Sequence, residues 1–399
     1  MSRSEHTLRT TYVGGAQPDG GSVRQPLTVT AFRCEALGED HRPALGFTYW
    51  FDAAPPGGDP YRVTLRFTGR RVGVKGKARP RDTFSVTETV DPVVPGSGRV
   101  AITVRVRDVA PGEWRITAAP DRGEGSRGRL ERGEGRRPRL PAGSASGATG
   151  YAPIIENLAP GAHLGAWPAL VGLGFLVGLG TQTLLAARGA LPAGSVLFVS
   201  LVASLVGLVG AKLYYLAGHL LMRRFLPRYR DRPPPSLATP GMCIQGFVAG
   251  AGGALMVGAL AAGISVGRLL DVTTPGLFFG MTIGRFGCFF GGCCVGRPTA
   301  SRWGLWSSDR RLGVRRIPTQ LLESALALSI GLLTLAAVWA TTPTPAGALF
   351  VAALGAYTLG RQLLFPLRDN PRKTSRGRTL TIALSAVAAA VAVGLAAVG

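Results

Sequence analysis

Two arginines lie inside long apolar runs of this 399-residue sequence, and a charge deep in a membrane helix is energetically costly. Arg285 stands in MTIGRFGCFFGGCCVGRPT (281–299), and Arg361 stands in GAYTLGRQLLFPLR (355–368). The apolar part of neither stretch contains a carboxylate, so each guanidinium requires an anionic partner. Glu323 is the nearby protein candidate, and a lipid phosphate is the other, because a guanidinium binds two phosphate oxygens at once.

Cysteines accompany the first of these arginines, and four interpretations of them remain open. Small cysteines suit packing in a helix interface. Cys288 is the best candidate for a catalytic or carrier thiol, because Arg285 nearby favours a thiolate. Cys293 could form a redox switch with a partner such as Cys243. Metal binding by these three and Cys294 ranks last, because the spacing matches no known zinc motif and no His joins it. We therefore expect no metal and no cofactor.

A stripe of glycines surrounds Arg285. Their spacings of four, three and four place them on one side of a helix, where another backbone can approach closely. They are Gly280, Gly284, Gly287 and Gly291. At about 100° per residue, Arg285 and Cys288 fall on an adjacent face. Arg285 is therefore predicted to face a groove beside a tight helix contact rather than lipid.

Other basic residues have a simpler interpretation. Tyr357, Arg361 and Arg368 share a helical face, because they are spaced four and seven residues apart. Arg368, Arg297 and Lys212 lie near the ends of apolar runs, and we expect their side chains to extend to the membrane interface.

Seven apolar runs must position these residues, and each reaches the ~20 residues that a membrane helix needs. They span 166–187, 193–217, 241–263, 272–295, 319–340, 345–365 and 379–398, and the fourth has the least clear signal of a span. The sequence therefore predicts a mainly α-helical, polytopic membrane protein with about seven transmembrane helices.

The amino-terminal part has a different pattern. Residues 25–120 contain about six short segments rich in Val, Thr and aromatics, several of them alternating with period two. They predict an all-β, sandwich-like soluble domain over 1–120, resembling an immunoglobulin-like module, with Cys34 as a buried core thiol. A Gly/Arg-rich linker is predicted over 121–160, and the transmembrane domain over 161–399. The first twelve residues show no signal peptide.

The charge distribution favours a membrane partner over nucleic acid. The formal net charge is +23. Residues 1–160 hold 24 Lys and Arg against 17 Asp and Glu, whereas residues 161–399 hold 21 against 5. The excess therefore lies mainly in loops between apolar runs, where anionic headgroups are the natural partner. We expect no nucleic acid to bind.

The segment from Gly284 to Arg297 resembles the signature of the prolipoprotein diacylglyceryl transferases, Gly-Arg-x-Gly-Asn-Phe-x-Asn-Gly-Glu-x-x-Gly-Arg. Four further segments are similar to family motifs and follow in the family's order. They are GAKLYYL (210–216), GMCIQGF (241–247), IPTQLLES (317–324) and YTLGRQLLFPLR (357–368). The resemblance covers about residues 160–399.

The resemblance implies a seven-span enzyme of the plasma (inner) membrane that acts in lipoprotein biosynthesis. Such an enzyme transfers the diacylglyceryl group of phosphatidylglycerol to the lipobox cysteine thiol of a preprolipoprotein and releases glycerol phosphate. By this resemblance Arg285 and Arg361 would hold the lipid phosphate and stabilise the leaving group. The substrate-binding residues that it implies are Tyr215, Gly287, Gly296, Tyr357 and Arg368.

Several positions depart from the family pattern. Gln245 stands where the family has a histidine, and an amide cannot accept a proton at neutral pH. Ile317 replaces a second histidine, Cys288 and Gly291 replace two asparagines, and Cys293 replaces a glutamate. Two alternatives therefore remain open. One is a non-catalytic membrane protein that binds an anionic lipid, and the other is a transferase with a different acceptor.

Two arguments disagree about orientation. The loops 223–232, 297–316 and 368–378 are rich in arginine, so the positive-inside rule places the amino terminus in the cytoplasm. The family resemblance implies an amino terminus outside. The orientation stays open at this stage.

Overall fold

The structure is a computed structural model that describes residues 26–30, 43–121, 140–226, 236–237, 241–369 and 376–398. Cys34, and with it the predicted core thiol, lies outside these residues. The chain divides into two compact units that are interleaved in sequence. The first comprises Met1–Leu170, Arg285–Leu322 and Leu364–Arg372, and the second comprises Val171–Gly284, Glu323–Leu363 and Lys373–Gly399.

The first unit contains two antiparallel sheets. Its strands are β1 (Leu27–Thr30), β2 (Pro43–Asp52), β3 (Tyr61–Arg71), β4 (Thr83–Val93), β5 (Arg99–Arg107), β6 (Glu113–Pro120), β7 (Gly143–Ala148), β8 (Gly150–Tyr151), β9 (Leu305–Ser308) and β10 (Leu312–Arg316). One sheet has the order β1-β2-β5-β10-β9, with β8 beside β2, and the other has the order β4-β3-β6-β7. The predicted amino-terminal β region is therefore confirmed.

A shared apolar core joins the two sheets. Phe47 of β2 and Phe67 of β3 are fully buried, with ring centroids 5.2 Å apart. The side chains of β3 alternate between buried and exposed, as expected for a strand with one face on a core. Trp114 of β6 is also fully buried and donates its indole N–H to the carbonyl oxygen of Ala110. Burial of these aromatic side chains therefore contributes to the stability of the β domain.

The sheets extend beyond the predicted β domain. β7, β8 and the short helix α1 (Ala152–Ile155) lie in the segment predicted to be a linker, of which residues 122–139 are outside the described part. The hairpin β9–β10 comes from the predicted loop between the fourth and fifth apolar runs. It pairs with β5 through Leu312 opposite Ile102. Trp306 secures it by donating to the carbonyl oxygen of Arg99 at 2.9 Å and by stacking on Trp50.

Long helices account for most of the second unit and continue at some of their ends into the first. They are α2 (Ala166–Arg188), α3 (Ala193–Phe225), α4 (Ile244–Ala261), α5 (Val266–Phe290), α6 (Thr319–Ala340), α7 (Ala348–Leu364) and α8 (Arg376–Val398). Among the described residues five helices are long and apolar enough to cross a membrane, namely α2, α3, α4, α6 and α7 with its short 3-10 extension to Leu367. The predicted count of seven spans is therefore not confirmed by length and hydropathy.

Glycines allow close contacts between these helices. A Cβ at Gly280 of α5 would lie 2.8 Å from the carbonyl oxygen of Gly174 in α2. A Cβ at Gly178 would lie 3.0 Å from the carbonyl oxygen of Gly276. Further along α5, a Cβ at Gly287 would lie 3.3 Å from the backbone oxygen of Trp167. The predicted close helix contact along this stripe is confirmed, and its partner is α2.

Candidate functional site

A turn after α5 brings three thiols together in the first unit. The helix ends at Phe290, and Gly292 and Cys294 then adopt positive φ angles of 67° and 57°. The chain reverses, and the backbone N–H of Cys293 donates to the carbonyl oxygen of Cys288 at 3.0 Å. The sulfur atoms of Cys288, Cys293 and Cys294 all lie within 4.8 Å of one another. We call these three residues the thiol cluster.

Neighbouring polar groups hold this turn in place. The side-chain amide of Gln320 donates to the carbonyl oxygen of Cys293 at 2.9 Å, and the hydroxyl of Thr319 donates to that of Cys294 at 3.4 Å. Both polar side chains are buried at the start of α6. The guanidinium groups of Arg285 and Arg368 lie close enough to Cys294 to act on it electrostatically. The cluster therefore sits in a positively charged, hydrogen-bonded environment.

Arg368 does not extend to the interface as the sequence predicted. Its side chain is buried, with 4% of the residue exposed, and its backbone forms a β-bridge with Gly296. A Cβ at Gly296 would collide with the carbonyl oxygen of Ile317, so this position requires glycine for a close backbone approach. Backbone pairing of 296 with 368 draws the arginine inward, which the sequence spacing does not reveal.

A cavity of about 420 Å³ borders the thiol cluster at Cys293. Its other lining residues are Asn157, His163, Leu164, Gly165, Trp167, Pro168 and Arg310. The guanidinium of Arg310 donates to the carbonyl oxygen of Gly291 at 2.7 Å and to Oδ1 of Asn157 at 2.9 Å. This cavity brings a cation, an imidazole and a thiol to one surface.

Arg316 is a structural residue that the sequence analysis missed. Its side chain has 0% exposure and donates to Asp309 at 3.0 Å and to Asp369 at 2.6 Å. It also donates to the carbonyl oxygen of Gly296 at 3.1 Å. It thereby ties the β9–β10 hairpin to the segments around 296 and 369. In the sequence, this role of Arg316 is indicated only by the two aspartates Asp309 and Asp369, which lie 60 positions apart.

The second unit places the other embedded arginine beside a carboxylate. Nε of Arg361 lies 4.0 Å from Oε1 of Glu323, and the exposed fractions of the two side chains are 44% and 2%. Tyr357, one turn earlier on α7, is buried and packs edge-on against Phe278 of α5. Glu323 was one of the two anionic partners considered from sequence, and its carboxylate does lie at this guanidinium.

Two more predicted site residues lie near the ends of α3 and α4. The Cys243 thiol donates to Oε1 of Gln245 at 2.7 Å, and the backbone N–H of Cys243 donates to the carbonyl oxygen of Ala211. The ring of Tyr215 lies beside Gly241, where a Cβ would overlap it. The amide oxygen of Gln245 therefore accepts a hydrogen bond from a thiol, and it does so without a change of protonation.

The predicted site residues fall into two sets. The first unit holds five of them, namely Arg285, Gly287, Cys288, Gly296 and Arg368. The second unit holds the other four, namely Tyr215, Gln245, Tyr357 and Arg361. Within the first unit Arg285 and Arg368 lie close to the thiol cluster, to which Cys288 belongs, and within the second Tyr357 and Arg361 lie one turn apart on α7.

These features define a helical membrane protein with arginines embedded in apolar helices and an amino-terminal β-sheet region. Residues 153–398 match the family model described as "Prolipoprotein diacylglyceryl transferase". The match covers more than half of the chain, and the chain belongs to this family.

Curated relatives carry the corresponding name. The phosphatidylglycerol–prolipoprotein diacylglyceryl transferase of Dehalococcoides mccartyi is 31% identical over 146 residues, which cover 36% of this chain and 55% of that relative. The enzyme of the same name from Synechococcus elongatus is 29% identical over 216 residues, covering 50% of this chain and 72% of that relative. The chain thus spans about half the length of the first of these relatives.

Proposed function

We propose that this protein transfers the diacylglyceryl group of phosphatidylglycerol to a cysteine thiol. The observation that carries the proposal is Arg361, whose side chain lies on an apolar helix and is 44% exposed, with a buried carboxylate 4.0 Å away. A cation kept in that position suits a lipid phosphate, because a guanidinium matches two phosphate oxygens. The family membership and the names of the relatives support the same substrate.

The reaction assigns a role to each embedded arginine. The acceptor thiol loses its proton, and its sulfur attacks the carbon of the diacylglyceryl group that is bonded to the phosphate oxygen. The carbon–oxygen bond breaks, and glycerol phosphate leaves with the electron pair. Arg361, which lies beside Glu323, neutralises the developing charge on the phosphate, and by the family resemblance Arg285 serves the same reaction. Gln245 cannot accept the thiol proton, so we assign its loss to water.

The environment of Gln245 favours a second candidate, a membrane protein that binds an anionic lipid without turnover. Its amide oxygen already accepts a hydrogen bond from Cys243, and an amide has no proton-accepting role at neutral pH. In this function Arg361 binds the headgroup phosphate, and no carbon–oxygen bond of the lipid breaks. A third candidate lies between these two, namely a transferase that uses a different acceptor.

We further infer that the protein spans the plasma membrane seven times, with α5 as one of the spans. β10 follows α5 in the chain and pairs with β5, which precedes α2. Both strands belong to one sheet, so the chain must cross the bilayer an even number of times between them. α2, α3 and α4 provide three crossings, which is an odd number. α5 must therefore provide the fourth crossing.

The decisive experiment mixes the purified full chain with phosphatidylglycerol and a lipobox cysteine peptide in mild detergent. We expect a peptide mass increase equal to one diacylglyceryl group, and a rate about 10²–10³ lower for Arg361→Ala, as for loss of one preorganised donor. Arg285→Ala should lose activity similarly. Arg268→Ala, an exposed arginine in the first turn of α5, is the matched control.

Two outcomes separate the candidates. Folded protein that copurifies with phosphatidylglycerol but forms no product with the peptide or with a small thiol would refute the transferase proposal and leave lipid binding. Product with the small thiol alone would assign another acceptor. Circular dichroism and gel filtration of each variant establish that lost activity is not lost folding.

A further inference from the structure

The thiol cluster has the dimensions of a metal site. A thiophilic ion with metal–sulfur bonds of ~2.3 Å holds its sulfur ligands ~4 Å apart. The three sulfurs of the cluster already lie within 4.8 Å of one another, so closing around an ion requires only small side-chain movements. A disulfide needs two sulfurs at ~2.05 Å and would leave the third thiol unused. Adjacent cysteines such as Cys293 and Cys294 are also poorly placed for that bond.

The backbone positions the ligands before any ion arrives. Cys294 adopts a left-handed φ of 57°, a conformation that residues other than glycine seldom take, and Gly292 precedes it with φ 67°. The carbonyl groups of Cys293 and Cys294 are held by Gln320 and Thr319. A packing role for cysteine would not require this turn, whereas three convergent ligands do.

The surrounding charge fits a thiolate complex. Arg285 and Arg368 lie close enough to the cluster to act on it electrostatically. Two cations would oppose a bare metal ion. Three thiolates with one monovalent or divalent ion, however, carry a net negative charge, which these guanidinium groups stabilise. The cavity at Cys293 supplies a route by which the ion reaches the ligands.

We propose that Cys288, Cys293 and Cys294 form a three-thiolate site for a thiophilic d¹⁰ cation of the Zn²⁺ and Cu⁺ class. Thiolate ligands select these ions over Mg²⁺ or Ca²⁺. Sequence spacing ranked this interpretation last because CxxxxCC matches no familiar zinc motif, and the turn at residues 291–294 is what makes that spacing convergent. The proposal does not rest on the diacylglyceryl transfer assigned above, although the two sites share Arg285.

The test measures metal on the full-length chain in detergent. Reduced protein is incubated separately with Zn²⁺, Cu⁺ and Cd²⁺, passed through a desalting column and analysed by elemental mass spectrometry. We expect stoichiometric retention of at least one of these ions and, with Cd²⁺, thiolate-to-metal charge-transfer absorption in the ultraviolet. Mg²⁺ should not be retained. X-ray absorption of the Zn²⁺-loaded protein without substitutions should show three sulfur neighbours around the metal at ~2.3 Å.

Substitutions identify the ligands. Cys288→Ser, Cys293→Ser and Cys294→Ser should each abolish stoichiometric retention, whereas Cys243→Ser should retain the ion, because that thiol instead bonds Gln245. Retention that persists in all three cluster variants would overturn the proposal. So would folded, fully reduced protein that retains none of the three ions, or a disulfide found within the cluster. The absorption experiment decides the matter if the serine variants fail to fold.

Discussion

Arg316 offers a sharp test of how burial controls the value of an ion pair. It is fully buried and bonded to Asp309 at 3.0 Å and to Asp369 at 2.6 Å. Arg311 lies five residues earlier and bonds Glu88 at 2.8 Å, but its side chain is 61% exposed. These arginine–carboxylate pairs have the same chemistry and similar bond lengths, whereas the two arginines differ in solvent access. Replacing each arginine by methionine preserves the aliphatic stem and removes only the charge and its donors.

The expected magnitudes follow from the contacts. Removing one partner of a buried ion pair costs ~3–5 kcal/mol, because the charge that remains is then buried without a counter-charge. Asp309 and Asp369 are themselves partly exposed and can rehydrate, so we expect Arg316→Met to cost about 3 kcal/mol, the lower end of that range. Exposed pairs contribute ~0–1 kcal/mol, so Arg311→Met should change stability little.

Amide hydrogen exchange of the β9–β10 hairpin measures the loss of local stability in each variant. It does not require that a membrane protein unfold in a two-state transition. A loss of about 3 kcal/mol speeds exchange through local opening roughly a hundredfold, since 1.4 kcal/mol is a factor of ten. The amides of Gly313 and Val314, which lie in the hairpin, are the reporters. Equal exchange in Arg316→Met and Arg311→Met would refute the reasoning, because burial would then have no effect.

Further predictions concern a close contact and the membrane topology. Gly296→Ala should lower the thermal unfolding temperature of the protein, because its Cβ would strike a backbone carbonyl. Gly252→Ala on α4 meets open space and should leave that temperature unchanged or raise it slightly. In chains whose native cysteines are replaced by serine, an impermeant maleimide applied to one side of sealed vesicles should label Thr87→Cys and Ser301→Cys together and leave Thr341→Cys unlabelled. Labelling of Thr87→Cys and Ser301→Cys from opposite sides would contradict a crossing by α5. The side on which they react also settles the orientation that the arginine-rich loops and the family resemblance leave open.

The local elements of this chain could be predicted well because their signals are local. Alternation in YRVTLRFTGRR (61–71) reflects burial of every second side chain, and β3 forms there. The apolar runs produced helices because a backbone in a membrane must satisfy its own hydrogen bonds. The stripe through Gly280 and Gly287 correctly indicated a close helix partner, although periodicity could not name α2 as that partner.

What the sequence by itself determined is therefore the β region, the long apolar helices, the family and the list of embedded arginines. Only the tertiary structure decided that a hairpin from 305–316 completes the amino-terminal sheet, that Arg368 turns inward, and that the thiol cluster converges. These features depend on pairing between segments remote in sequence and on left-handed turns at Gly292 and Cys294. Hydropathy and spacing encode which face of an element is buried, whereas the partner of that face is chosen by packing of the whole chain.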